Sequence, residues 1–430
     1  MLSRITRFAP ICTKRSFSTS QPKKGGKAWK YILAGLIGGT AIGYSWDSIR
    51  ATKWYYWMAD SAMPLVRKLD CEKAHRAGVL LEKYHLAPVD KTVYPELKTT
   101  IMGLEFPQCI GIAAGFDKQA EAINELFKSG LAFVEVGGIT PKPQPGNPSP
   151  RMFRLYEDEG IINRFGLNSE GHNVIVPRLQ QEYSRQQKHR RGLIGVNLAD
   201  NKDCEDPVKD YLLGITRCGP YSDFMVLNIS CPNQVGTTAL QEETRLRGML
   251  DQIYQYLNLL PEHAPLLLKL SPDLTHEQRD ILWREQIAKL VLEYKVDGLV
   301  ISNTTVTRAD TLKSENKKEK GGLSGKPVKE LSTECIRDMW SWVARVTCRY
   351  KLTNGKVPII GVGGISSGED AYEKIKAGAS AVEIYSALVY HGMGLVPQIK
   401  KDLVELLHRD GYSNVSEAVG KDVDLECRVC

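Results

Sequence analysis

Eight short apolar runs recur along this chain, most followed by a polar or glycine-rich turn and then a helical stretch. They are Cys109–Ala114, Phe133–Val136, Leu193–Asn197, Phe224–Ile229, Leu266–Leu270, Gly298–Ile301, Val357–Val362 and Ala381–Tyr385. Apolar runs alternating with helices are the pattern of parallel strands buried on both faces. Eight of them predict an α/β fold, a closed (β/α)8 TIM barrel, in preference to an open doubly wound sheet. The 430 residues accommodate such a barrel plus an appendage. A chain that is 42% hydrophobic and 25% charged is not a disordered one.

A barrel carries its chemistry at the C-terminal ends of its strands. Late in each run, or just past it, stand Gly115 and Lys118, Gly138 and Thr140, Asn197, then Asn228, Ser230 and Cys231. Lys269, Asn303 and Thr304, Gly363 and Gly364, and Tyr385 and Ser386 complete the set. Nearly all are small, amide, hydroxyl or amine groups. Lys269 sits inside an apolar strand, where an unpartnered amine costs several kcal/mol. The glycine run Gly361–Gly368 follows the seventh strand, where barrels commonly bind phosphate through backbone N–H groups. It is not a Rossmann fingerprint, because Ser366 stands where the third glycine belongs. Gly321–Gly325 adds a second flexible loop after the sixth strand. Lys269 is placed to favour negative charge on a bound ring, so a phosphate-bearing redox cofactor fits both features. Ala309–Lys320 is charged and reads as a mobile surface loop.

The net charge of +7 belongs to the N-terminus. Eight Lys and Arg residues precede the first acid, Asp47, and leave a near-neutral remainder with no footprint for nucleic acid. Residues 1–25 have the acid-free, Arg/Lys- and Ser/Thr-containing composition of a mitochondrial presequence. Tyr31–Trp46 contains no charge over sixteen residues. As a helix it spans about 24 Å, short of the ~30 Å hydrocarbon core. Snorkelling Lys27 and Lys30, with Trp29 and Trp46 at the interfaces, makes up the difference. Beyond it, Trp54, Trp57, Met58, Leu65 and Leu69 recur at roughly helical spacing and describe an interfacial element. The expected organisation is a presequence (1–25), a transmembrane anchor (26–47), an amphipathic helical region (48–90), the barrel (91–415) and a tail (416–430). The ten cysteines are scattered, and the single C-x-x-C pair, Cys427 and Cys430, has no second pair or nearby His, so no metal site is expected.

Nine segments resemble one family. GIAAGFDK (111–118), TPKPQPGNPSPRMFRL (140–155), NRFGLNS (163–169), GVNL (195–198), NISCPN (228–233), KLSPD (269–273), SNTT (302–305), GGLSGKP (321–327) and IIGVGGISSG (359–368) resemble the dihydroorotate dehydrogenases, in particular the membrane-associated, quinone-using class of mitochondria. The resemblance implies FMN-dependent oxidation of (S)-dihydroorotate to orotate, with ubiquinone as acceptor. It implies an FMN site of Ala113, Ala114, Gly115, Gly138, Asn197, Asn228, Lys269, Ser302, Gly325, Gly364, Tyr385 and Ser386. It implies a substrate site of Lys118, Asn163, Arg164, Phe165, Gly166, Leu167, Asn228, Asn233, Asn303 and Thr304, with His75, Arg154 and Tyr385 around a quinone tunnel. Asn side chains suit the edges of a planar diamide, and Lys118 suits its carboxylate. The implied base is Cys231, where this class usually has Ser and the soluble class has Cys; an unperturbed thiol pKa of ~8.5 makes it the better base. Gly138 stands where relatives often have Ser. The expected location is the inner mitochondrial membrane, single-pass, in contact with its lipid, with the barrel facing the intermembrane space. No protein partner is identifiable. A soluble-type enzyme using fumarate or NAD, or another FMN barrel, is the alternative.

Overall fold

The computed structural model describes residues 45–230, 243–273, 286–349 and 357–423. The chain divides into two compact units, Met1–Ser48 and Ile49–Cys430. Of the first, residues 45–48 are described and are helical. The expected presequence and nearly all of the expected anchor lie outside the described residues, as do Cys427 and Cys430. Among the described residues no helix is long and apolar enough to cross a membrane.

The second unit opens with two helices, α1 (Lys53–Val66) and α2 (Cys71–Lys83). Each starts on a side-chain cap: Thr52 accepts from the Tyr55 N–H, and Asp70 from the Lys73 N–H. The strands are β1 (Thr99–Ile101), β2 (Leu104–Phe106), β3 (Ile110–Ile112), β4 (Phe133–Ile139), β5 (Met152–Leu155), β6 (Gly160–Asn163), β7 (Leu193–Leu198), β8 (Phe224–Asn228), β9 (Leu266–Leu270), β10 (Gly298–Ile301), β11 (Gly322–Gly325), β12 (Ile359–Val362) and β13 (Ala379–Ile384). Between and after them come α3 (Ile123–Lys128), α4 (His172–Lys188), α5 (Pro207–Cys218), α6 (Glu243–Leu257), α7 (Ala288–Glu293), α8 (Lys329–Arg349), α9 (Gly368–Lys376), α10 (Ser386–His391), α11 (Leu395–Arg409) and α12 (Val415–Ala418).

Eight strands close into a parallel barrel in the order β10-β12-β13-β3-β4-β7-β8-β9. All eight expected runs are strands, and the doubly wound alternative falls because the first and last strands are joined around the ring. The two-residue period of a strand sorts their side chains. Val134, Val136, Ile194, Val196, Leu227, Leu268 and Val382 point outward into the core shared with the helices. Phe133, Leu193, Phe224, Val226, Leu267, Val300, Ile360 and Ala381 point inward and pack together. Two inward positions must be glycine. A Cβ on Gly111 would lie 2.4 Å from the Phe133 ring, and one on Gly195 would lie 2.3 Å from the Phe224 ring. The phenylalanines fill the space those glycines leave.

Sequence patterning missed two sheets. The β1–β2 hairpin brings Ile101 and Phe106 onto the inward cluster, with Phe106 edge-on to Phe133 at 5.3 Å, and so closes the floor of the barrel. β5, β6 and β11 form an antiparallel sheet in the order β11-β6-β5. The Ala309–Lys320 segment is held against this sheet rather than being a free loop. Lys313 and Ser314 donate backbone N–H groups to Asp158, Asn316 donates to the Arg154 carbonyl, and Leu312 is buried.

Candidate active site

Just above the inward aromatic layer, the same alternation places polar side chains. Glu135 follows Phe133 by two residues, Asn228 follows Val226, Lys269 follows Leu267, Glu383 follows Ala381, and Asn197 follows Gly195. All five are buried. Lys269 Nζ lies 3.2 Å and 3.5 Å from the two Glu135 oxygens. Asn197 Nδ2 also donates to Glu135. An ionised carboxylate only accepts, so this contact fixes the orientation of a chain of amides. Asn197 Oδ1 accepts from Asn228 Nδ2 at 3.2 Å. Asn228 Oδ1 accepts from Asn303 Nδ2 at 3.4 Å, and that amide also donates to the Ser230 carbonyl at 3.0 Å. Burial first, and the charge of Glu135 second, push the Glu383 carboxyl well above its ordinary range. Glu135 and Glu383 were not among the expected site residues. Their signal was the one that exposed Lys269, a charge inside an apolar run.

Two adjoining cavities open over this layer at the C-terminal ends of the strands. The first is lined by Ala113, Ala114, Lys269, Ser302, Gly325, Gly363, Gly364, Glu383, Tyr385 and Ser386, among others. The second is lined by Gly115, Lys118, Gly138, Asn163, Phe165, Gly166, Leu167 and Asn228. Ala114, Lys269, Asn303, Thr304, Ser324, Tyr385 and Ser386 border both. Lys118 Nζ is 2.9 Å from Asn168 Oδ1 and 3.2 Å above the Phe165 ring centroid. A Cβ on Gly138 would come within 3.2 Å of Ala199, Asn197 and Leu167, so a serine there requires its neighbours to give way. Gly364 has φ +73° and would place a Cβ 2.4 Å from the Lys329 Cα, which confines that position to glycine. Asn197 lies beneath the cavities, acting through Asn228. Arg164 is not on the lining; its guanidinium pairs with Glu319 at 2.6 Å over the Phe153 ring. Cys231 and Asn233 lie outside the described residues. Among the described residues no cluster of three or more metal-ligating groups occurs.

A third cavity of about 500 Å³ lies between α1, α2 and the barrel. Met58, Ala62, Met63, Val66, Leu81 and Phe116 give it apolar walls, and His75, Arg154 and Tyr385 contribute polar groups. Tyr385 therefore borders all three cavities. Its hydroxyl donates to the Gly115 carbonyl at 3.2 Å, and burial raises its pKa, so it stays protonated. His75 Nε2 contacts the Phe116 carbonyl at 2.9 Å, which requires the Nε2–H tautomer. Burial, then the charge of Lys118, lowers His75 to about 4, so the imidazole is neutral at pH 7. Arg154 Nη1 donates to the Arg67 and Leu69 carbonyls at 2.9 Å and 2.8 Å and holds the α1–α2 turn.

The model of one protein family, described as dihydroorotate dehydrogenase, matches residues 96–407. The chain belongs to the dihydroorotate dehydrogenase family. It is 42% identical over 412 residues to the mouse protein named dihydroorotate dehydrogenase (quinone), mitochondrial, covering 92% of this chain and 99% of the mouse protein. It is 44% identical over 357 residues to the dihydroorotate dehydrogenase (quinone) of Azorhizobium caulinodans, covering 82% and 95% of the two chains. A crystal structure of the Eimeria tenella DHODH in complex with ferulenol superposes with a TM-score of 0.76 at 41% identity, covering 83% of this chain and 98% of that one. The barrel is thus the dihydroorotate dehydrogenase barrel, and the chain is an oxidoreductase of a flavin-dependent family.

Proposed function

We propose that this enzyme oxidises (S)-dihydroorotate to orotate in de novo pyrimidine biosynthesis and passes the electrons through FMN to ubiquinone. The observation that carries the reading is the position of Tyr385 at the junction of all three cavities. The lining of the first cavity fits FMN. Gly325, Gly363 and Gly364 all have positive φ and leave backbone free to approach a phosphate, while the Lys269 amine faces the place of a ring. FMN, when bound, supplies the hydride acceptor.

The chain's own groups do the rest. Ala113, Ala114, Gly115, Gly138, Ser302 and Ser386 shape the cofactor walls without bulk. Lys118 takes the substrate carboxylate. Asn163, Asn228, Asn233 and Asn303, with Thr304, meet the donors and acceptors of the diamide, and Phe165, Gly166 and Leu167 cover it. Arg164 braces that cover through Glu319. Cys231 is the base that removes the proton from carbon 5 while carbon 6 gives up its hydride. The apolar cavity admits the quinone, with neutral His75, Arg154 and Tyr385 around it.

The same reading places residues 1–25 as a presequence and 26–47 as a single anchor in the inner mitochondrial membrane. The exposed Trp54, Trp57, Leu65 and Leu69 then meet lipid. The barrel faces the intermembrane space, and a barrel protected from protease in mitoplasts would reject that orientation. The deciding assay is dihydroorotate oxidation with decylubiquinone, compared with fumarate and NAD. Faster turnover with either soluble acceptor would favour the soluble-type enzyme that Cys231 suggests. Cys231→Ala should abolish turnover with FMN still bound, while Cys231→Ser keeps part of it. An alanine variant of near-normal rate removes the thiol from the mechanism.

A further inference from the structure

The inward face of the barrel holds one amine and two carboxyls, and their hydrogen bonds are unequally shared. Glu135 accepts from Lys269 and from Asn197. Glu383 is 1% exposed, lines the first cavity, and has neither carboxyl oxygen hydrogen-bonded to a donor. Its neighbour strands β3 and β12 carry no charged side chain. α9 packs behind β13 on the outer side of the wall, where Asp370 pairs with Lys329 and Lys374 donates to Ser332 and Thr333. Glu159, Lys326 and His391 border the same cavity, where Lys326 and His391 each approach Glu159. Across β3, Glu383 pairs with Gly111 and Val134 with Ile112, so only the small inward residues Gly111 and Ala113 stand between Glu383 and Glu135, and Glu135 and Lys269 are the charged groups acting on it.

Two ionised carboxylates beside one ammonium leave a net negative charge in a water-excluded interior, which is costly. Adjacent carboxyls in such a site do not both ionise. An acid that lacks a donor and abuts another carboxylate is satisfied by carrying the proton itself and donating it.

We propose that Glu383 and Glu135 hold one proton between them, Glu383 donating to Glu135. The Lys269–Glu135–Glu383 triad is then neutral, and this proton sets the charge beneath the flavin ring. The second half rests on the FMN reading above; the first does not. Losing the proton adds a negative charge beside Lys269 and makes it harder to place electrons on the ring. Glu383 is a positioning residue for charge, not a group that touches the reacting atoms.

The test is infrared spectroscopy of the purified holoenzyme together with a pH titration of its flavin midpoint potential. Glu82, fully buried with its pKa raised to about 8, contributes a protonated carboxyl band of its own, so the reading is the wild-type minus variant difference spectrum. Glu383→Gln should remove one carbonyl component that fades in wild type as pH rises. Glu135→Gln should remove the same component at neutral pH, because Glu383 then ionises as the sole partner of Lys269. A difference spectrum without a lost carbonyl component in Glu383→Gln overturns the shared proton, and so does a wild-type spectrum with no protonated carboxyl band at neutral pH, which needs no variant to fold. The wild-type potential should fall more steeply at alkaline pH than that of Glu383→Gln, and coincident curves overturn the charge-setting role. A preparation that binds no flavin overturns the FMN reading alone, since the carboxyl band is still measurable.

Discussion

Lys118→Met keeps the aliphatic stem over Phe165 and removes the charge assigned to the substrate carboxylate. The amine donates to Asn168 Oδ1 at 2.9 Å and stands 3.2 Å above the Phe165 centroid on the wall of the second cavity. A hydrogen bond to a charged group contributes about 1.5–3 kcal/mol. At 1.4 kcal/mol per factor of ten, KM for dihydroorotate should rise roughly 10- to 150-fold. Orotate product inhibition should weaken in parallel, and KM for decylubiquinone should move little. The lost cation–π contact costs about 0.5–2 kcal/mol of stability. A second readout is independent of turnover. The Lys118 charge is the largest influence after burial that holds His75 down at about 4. Removing it should raise the His75 pKa, as read by NMR titration of the ring. A dihydroorotate KM unchanged within error, with FMN bound, would refute Lys118 as the carboxylate partner. A His75 pKa that stays put would refute the electrostatic geometry.

Arg154→Met deprives the α1–α2 turn of two charge-assisted hydrogen bonds, both from Nη1 and each worth about 1.5–3 kcal/mol. It should cut decylubiquinone reduction at least tenfold (~1.4 kcal/mol) while dye-coupled dihydroorotate oxidation persists; equal losses with both acceptors would remove the turn-holding role. Gly364→Ala forces a Cβ to within 2.4 Å of backbone at positive φ. Strain of about 1–3 kcal/mol should weaken FMN binding about 5- to 150-fold, measured as flavin released on dilution. His75 has a depressed folded-state pKa, so its contribution to stability is present above pH 6.5 and is lost as pH falls towards about 4. The acid-side drop in thermal midpoint should therefore be smaller in His75→Gln than in wild type, and equal drops would contradict a neutral buried ring.

The barrel was legible because its signal is long-range and repeated: eight apolar runs, each bounded by turn residues, leave few topologies. The β1–β2 hairpin was not, because three-residue strands carry too little pattern to stand out. Its role depends on Phe106 meeting Phe133 and Phe224, and only tertiary packing reveals that contact. The Ala309–Lys320 segment misled for a related reason. Its charges suggest solvent, yet its order comes from Asp158 and Arg154, which lie on the far side of the chain in sequence. The polar side chains above the inward aromatic layer were visible because Asn197, Asn228 and Lys269 each stand within an apolar run. Arg164 sat in the right motif, but its side chain turns to Glu319, and nothing local in NRFGLNS encodes that direction.

Stability and chemistry in this barrel are two readings of one alternation. Inward positions near the floor carry Phe133, Val226, Leu267 and Ala381; one step of two residues along the same strands carries Glu135, Asn228, Lys269 and Glu383. A one-residue slip in any of these strands would send its ionisable or amide group outward into the apolar helix interface and bring Val136, Leu227, Leu268 or Val382 inward. Each unpaired buried charge costs more than a misplaced aliphatic group. The Lys269–Glu135 pair and the amide chain from Asn197 to Asn303 therefore penalise wrong registers even though they add little net stability in the right one. The groups proposed to lie beneath the flavin also specify the register, so a variant that neutralises the whole polar layer should lose uniqueness of strand pairing before it loses compactness.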